Sequence, residues 1–117
     1  VTIAFRCAWP SRGLWQNARP HWAQRAKAAR IARQEACGEA LLRGAAKIKG
    51  HAAYRVVVTF FPPDNRKRDP HNFPATAKAY LDGLADALGV DDCIFDVEWK
   101  TGPVEAPGSV HFEVTPQ

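Results

Sequence analysis

The stretch FFPPDNRKRDPHNFPATAKAYLDGLADALGVDD, from Phe60 to Asp92, decides how the rest of the chain is read. Its first two residues end an apolar run. Pro62-Pro63 then halts that run, because proline has no N–H to give a strand ladder, and a polar loop follows over Asp64 to Asn72. From about Pro74 to Leu88, Ala77, Leu81, Leu84, Ala85 and Leu88 recur at helical spacing and predict a helix with one buried stripe. Lys78, Asp82 and Asp86 stand four apart along its flank. Gly89 is the expected stop, and Asp91-Asp92 closes the unit. Strand, loop, helix and return make a βαβ-like unit that gathers carboxylates beside Arg66, Lys67 and Arg68. Carboxylates hold divalent cations and basic side chains hold phosphates, so the pattern points to a phosphate-handling metal site.

Upstream of this unit, Tyr54 to Phe61 is dense in valine and aromatics and reads as a well-buried strand. Val1 to Trp9 alternates apolar with small or polar residues, the period of a half-buried strand, and Pro10, Ser11 and Gly13 end it. Between them, Pro20 to about Ala46 is rich in Ala, Arg, Gln and Glu and predicts a long helix, with Gly38 weakening its middle and Gly44 or Gly50 marking its end. Its alanines are expected to pack on the sheet while some arginines reach outward. Downstream, Cys93, Phe95, Val97 and Trp99 alternate with Asp96, Glu98 and Lys100. Gly102 to Gly108 makes a turn, and Val110, Phe112 and Val114 form a last strand. The order is β-α-β-α-β-β, an α+β single domain over residues 1–117 whose small mixed or antiparallel sheet of about four strands is covered by two helices.

A chain of 117 residues suffices for one core and not for two domains. No run is long and apolar enough to cross a bilayer, no leader reads as a signal peptide, and no membrane partner is expected. Lys and Arg outnumber Asp and Glu by 16 to 12. With the carboxylates between Asp82 and Glu98 set aside, the remaining surface is more basic still, which suits a polyanion held by its phosphates and cut at a metal; a positive surface kept for solubility is the plainer reading of charge alone. Cys7, Cys37 and Cys93 are odd in number and lack metal-site spacing, so they are expected as buried thiols in a reducing cytoplasm.

Hydrolysis of a phosphodiester at neutral pH needs an activated water and neutralised charge on the attacked phosphate. Mg²⁺, or Mn²⁺, held by carboxylates supplies both. Asp69 and Asp92 are the first ligand candidates, meeting at one end of the sheet or across an interface between two chains. Any single aspartate is otherwise a helix cap or surface carboxylate. Trp15, Gln16, Asn17 and Arg19, next to His21 and Trp22, offer stacking and phosphate hydrogen bonds; the structural alternative is that Trp15 and Trp22 close the edge of the core.

These residues resemble the RusA family of Holliday-junction resolvases, phage-associated endodeoxyribonucleases that cut four-way junctions as dimers with Mg²⁺. The similarity lies in PPDNRKRDPHN, AKAYLDGLADALGV and the closing Asp-Asp, about a third of the chain. It implies Asp69 as the first metal-binding aspartate and Asp92 as the last, Lys78 as the catalytic lysine, and Asp91 and Asp82 as supporting groups or a further ligand. Arg66, Lys67, Arg68 and Asn72 would face DNA, with Trp15, Asn17, Arg19 and Arg25 extending that surface. A homodimer acting on branched DNA, in the cytoplasm of a bacterial host and encoded by a phage or prophage, follows from the same resemblance. Two departures stand out. His71 occupies the place of the family's second aspartate, so His71 enters the candidate catalytic and metal set, and imidazole suits Mn²⁺ better than Mg²⁺. About three extra residues, around Pro74 to Thr76, separate Asn72 from Lys78.

Two other functions compete. One is a branched-DNA-binding protein impaired in catalysis by His71; binding alone, however, needs no cluster of Asp69, Lys78 and Asp91-Asp92. The other is a metal-dependent nuclease acting on flaps or single strands.

Overall fold

Alternation of β-branched and aromatic residues with polar ones builds four strands: β1 (Ile3–Ala8), β2 (Tyr54–Phe61), β3 (Phe95–Thr101) and β4 (Ser109–Pro116). The computed structural model describes residues 1–15 and 21–117, so the expectations for Asn17, Arg19 and a helix start at Pro20 lie outside the described residues. The sheet is mixed, in the order β1-β4-β2-β3. β4 pairs antiparallel with both β1 and β2, while β2 and β3 run parallel. A parallel pair cannot be closed by a hairpin and needs a crossover. Here the crossover is the Pro62-to-Ile94 segment, the same stretch that carries the candidate chemistry, with α2 (Phe73–Thr76) and α3 (Lys78–Leu88) inside it.

Register sets one face of the sheet as core. Ile3, Val114, Val56 and Val97 form one row across the strands, and Phe5, Phe112, Val58 and Trp99 the next. Phe5 and Phe112 stack with centroids 4.8 Å apart. The long helix α1 (Trp22–Leu42) buries Ala32, Ala36 and Ala40, spaced by four, and packs on α3 and β1. The two helices meet so closely that a Cβ at Gly83 would stand 2.2 Å from the Arg33 carbonyl oxygen. Arg33 clamps the same crossing from outside, its guanidinium donating to both oxygens of Asp86 at 2.6 and 2.8 Å.

Several element bounds differ from the sequence reading. The helix continues through Gly38, and Gly44, in the left-handed region at φ 104°, follows its end; Gly50 is not the stop. The predicted helix over Pro74 to Leu88 is broken at Ala77. There the Thr76 hydroxyl, buried, donates to the Phe73 carbonyl at 2.6 Å, and the Ala77 N–H turns back to Pro74. β3 begins at Phe95 and not at Cys93, because the Asp91 carboxylate accepts from the Cys93 N–H at 2.9 Å and winds Asp92–Ile94 into a tight turn. Cys93 is therefore exposed and Cys37 half-buried; of the three thiols expected inside, only Cys7 is buried. Trp15 does pack against the core, but Trp22 is 75% exposed and closes nothing. Among the described residues no helix is long and apolar enough to cross a membrane.

Candidate functional site

Helical spacing puts Asp82 one turn beyond Lys78 on the same flank of α3, and the Lys78 ammonium donates to Asp82 Oδ1 at 2.8 Å. It also donates to Asp92 Oδ2. Asp92 can return to the side of α3 because Gly89, at φ 70°, reverses the chain, with the Val90 N–H bonded to the Ala85 carbonyl at 3.0 Å. Fourteen positions of sequence thus close on one cationic point. The two carboxylates are about seven-tenths covered while the lysine is mostly exposed. The bonds from Asp82 and then Asp92 hold the Lys78 ammonium above its ordinary pKa. Neighbouring Asp91 caps the Asp92–Ile94 turn, and the Cys93 N–H pulls its carboxyl below the usual range.

A second group forms in the loop that leads into α2. The Asp69 carboxylate caps the turn Pro70–Asn72 by accepting from the His71 N–H, and the His71 ring nitrogen Nδ1 lies 3.0 Å from the same oxygen. The backbone bond first, and the ring second, hold Asp69 below the ordinary carboxylate range. With the proton on Nδ1, the ring donates to Asp69 and keeps a lone pair on Nε2, the arrangement in which metal-binding histidines are commonly oriented.

Beside Asp69 lies a hollow of about 580 Å³. Trp9 and Trp15 line it, with Arg12, Arg66, Lys67 and Arg68 around them and Asp69 and Asn72 at one side. Arg68 is the most committed of these cations. Its side chain, 17% exposed, pairs with Asp64 at 3.0 Å, donates to the carbonyls of Asp64 and Arg66, and lies over the Trp9 ring at 5.5 Å. Arg66, Lys67 and Arg12 have no carboxylate partner among the described residues. Arg25 is exposed on α1, away from the lining of this hollow.

The crossover therefore brings the predicted residues together in two sets, Lys78 with Asp82 and Asp92, and Asp69 with His71, the latter beside the basic loop. Among the described residues no three His, Cys, Asp or Glu side chains converge as a self-sufficient metal cage would require. The donor chemistry nevertheless fits a hard cation. Mg²⁺ is ordinarily held by one or two carboxylates, with water and substrate phosphate completing its shell, and Asp82 and Asp92 already aim two carboxylates at one cation. Sequence reasoning missed Trp9, Arg12 and the stacking role of Arg68. The signal was present for Trp9, which ends an alternating strand beside Pro10, but alternation alone assigned it only to the core.

No protein-family model matches the chain. It is similar to an uncharacterized protein of Xylella fastidiosa (strain Temecula1 / ATCC 700964), 40% identical over 88 residues that make up 72% of this chain and 56% of that protein. The chain thus spans a little over half the length of this relative.

Proposed function

We propose that the chain is a metal-dependent endodeoxyribonuclease of the RusA type, cutting four-way DNA junctions by paired nicks as a homodimer. The observation that supports this reading most is the convergence of Lys78, Asp82 and Asp92 within the crossover that also presents Asp69 and the basic loop. A lysine between paired carboxylates, on the same crossover as a loop of unpartnered cations, suits the attack of water on a phosphodiester.

In this reading Arg66 and Lys67 hold backbone phosphates, contacts that position DNA without reading its sequence. Asp82 and Asp92 would hold the Mg²⁺ or Mn²⁺, with Asp91 supporting their loop and Asp69 and His71 a second donor pair. A bound ion supplies Lewis acidity and an activated water. The Lys78 ammonium supplies positive charge to the phosphate oxygens, where charge grows in the transition state. Arg68, already neutralised by Asp64, shapes the loop that carries Arg66 and Lys67. Two copies related by a two-fold axis present two such sites to opposed strands.

The test is cleavage of a labelled four-way junction with Mg²⁺ or Mn²⁺, against linear duplex and flap substrates, with Asp92→Asn alongside. Paired symmetric nicks that vanish in the variant bear the proposal out. Tight junction binding without nicks in either metal makes the chain a binding protein, and preferential cutting of the flap replaces the resolvase with a different nuclease.

A further inference from the structure

We propose that the hollow between Trp9, Trp15 and the basic loop, which Asp69 also lines, receives one unstacked nucleobase of the DNA. The inference rests on the nuclease reading above for its ligand class, and it adds what that reading leaves open: a pocket for a base in a protein otherwise expected to hold phosphates.

Three observations carry it. The floor is aromatic and fixed in advance. The Trp15 indole N–H donates to the Pro10 carbonyl at 3.1 Å, and its ring meets Phe73 edge-on at 5.8 Å. Trp9 is wedged edge-on against Phe60 and Phe73, at 6.1 and 5.6 Å. Rings already ordered by the core lose little freedom when a ligand arrives. The wall is a guanidinium plane, since Arg68 lies over Trp9 and is tied by Asp64, and bases stack on arginine planes as they do on aromatic rings. The rim is cationic through Arg12, Arg66 and Lys67, while the Asn72 amide offers both a donor and an acceptor to a base edge.

The combination selects its ligand. Phosphate alone would use the rim and gain nothing from the Trp15 indole and the guanidinium plane that covers Trp9. A base inside intact duplex has both faces covered by its neighbours and cannot reach them. A nucleotide whose base has left the stack satisfies floor and rim together, and a hollow of about 580 Å³ lies within the range of small-molecule pockets. Bases at a branch point or in a single strand are the cheapest to unstack, so the pocket would also favour branched over linear DNA.

The experiment compares binding, by fluorescence anisotropy without metal, of a labelled single strand of about ten nucleotides with that of the same strand built from abasic residues. Wild-type protein is expected to bind the base-bearing strand roughly five- to hundredfold more tightly. Trp15→Leu, which keeps an apolar side chain on Phe73 but removes the π-face, is expected to abolish that preference. Trp15→Phe should retain most of it, and Trp22→Leu, at the exposed tryptophan, should retain all of it. Equal binding of the two strands by the wild type overturns the proposal, as does a Trp15→Leu variant that keeps the preference. The two readings fail separately. A base preference without junction nicking sinks the nuclease and leaves the pocket; nicking without a base preference does the reverse.

Discussion

The crossing of α1 and α3 makes a sharp prediction for a pair of glycine-to-alanine changes. Each adds one methyl to a helix interior, and helix propensity alone favours alanine by about 0.8–1 kcal/mol. At Gly38 a new Cβ has no heavy atom within 4 Å, so Gly38→Ala is expected to raise stability by about 0.5–1 kcal/mol. At Gly83 the same methyl would stand 2.2 Å from the Arg33 carbonyl oxygen and 2.9 Å from Ala36 Cβ. Neither atom is the tip of a flexible side chain, so the helices themselves must part by more than an ångström. Overpacking of this kind typically costs about 1–3 kcal/mol, and a backbone obstacle puts Gly83→Ala at the upper end. Net of propensity, the loss is about 2 kcal/mol, or roughly a 1 M fall in the urea midpoint. Equilibrium urea unfolding followed by circular dichroism measures both variants. A Gly83→Ala protein as stable as wild type, or more so, would refute the close crossing and with it the account of how α3 holds Lys78 and Asp82.

Two further expectations concern charge. Lys78→Gln removes an ammonium that two carboxylates share. Because the pairs are partly solvated, stability should fall by only about 1 kcal/mol, while the proposed junction cleavage should drop roughly 100-fold or more. The freed Asp82 and Asp92 should bind Mn²⁺ more tightly, seen as a larger metal-induced rise in the urea midpoint than in wild type; an unchanged or smaller rise would mean that these carboxylates do not hold the ion. Asp64, Asp69, Asp86 and Asp91 all titrate below the ordinary carboxylate value when folded. Their contribution is complete above the unfolded pKa near 3.9 and is lost as pH falls through the lower folded values, so the carboxylates lower the midpoint below about pH 4; a smaller fall begins already below about pH 6.5, because burial holds the His111 imidazole below its ordinary pKa and the unfolded chain takes up that proton first. Lys78 has the opposite sign: its raised pKa stabilises fully below about pH 10.4, and that share disappears as pH rises through the folded value. A midpoint that stays level as pH falls below about 4 would contradict the carboxylate assignment.

Strand order along the sequence and the buried stripe of α3 were legible because period two and period 3.6 separate cleanly there, whereas α1 was read from its alanine-rich composition, its charged residues lying all round the axis. Tyr54–Phe61 matches its predicted bounds for this reason, as does the stripe Ala77, Leu81, Leu84, Ala85 and Leu88. What periodicity could not give was competition from side chains. Thr76 and Asp91 each offer the backbone a local bond that breaks or delays the regular element, and the alternation through Cys93 carries no trace of it. For the site, spacing by four placed Lys78 beside Asp82. The arrival of Asp92 depends on the left-handed turn at Gly89, which the sequence marked only as a stop. The hollow was the least legible part. Trp9, Arg12 and Asp69 lie on three separate segments, and only the fold makes them neighbours.

β4 is the last strand along the sequence yet sits inside the sheet, bonded to β1 on one side and β2 on the other. During synthesis, β1 emerges first and must wait for about a hundred residues before its partner exists, leaving Ile3, Phe5 and Cys7 without their row-mates. The helices can form early, but nothing joins β1 to the β2–β3 pair until Ser109–Pro116 leaves the ribosome. Folding of this chain is therefore governed by one long-range closure, slow by the measure of contact order and exposed to aggregation until it occurs. A premature stop between residues 102 and 109 would leave β1 a lone strand, unconnected to the β2–β3 pair.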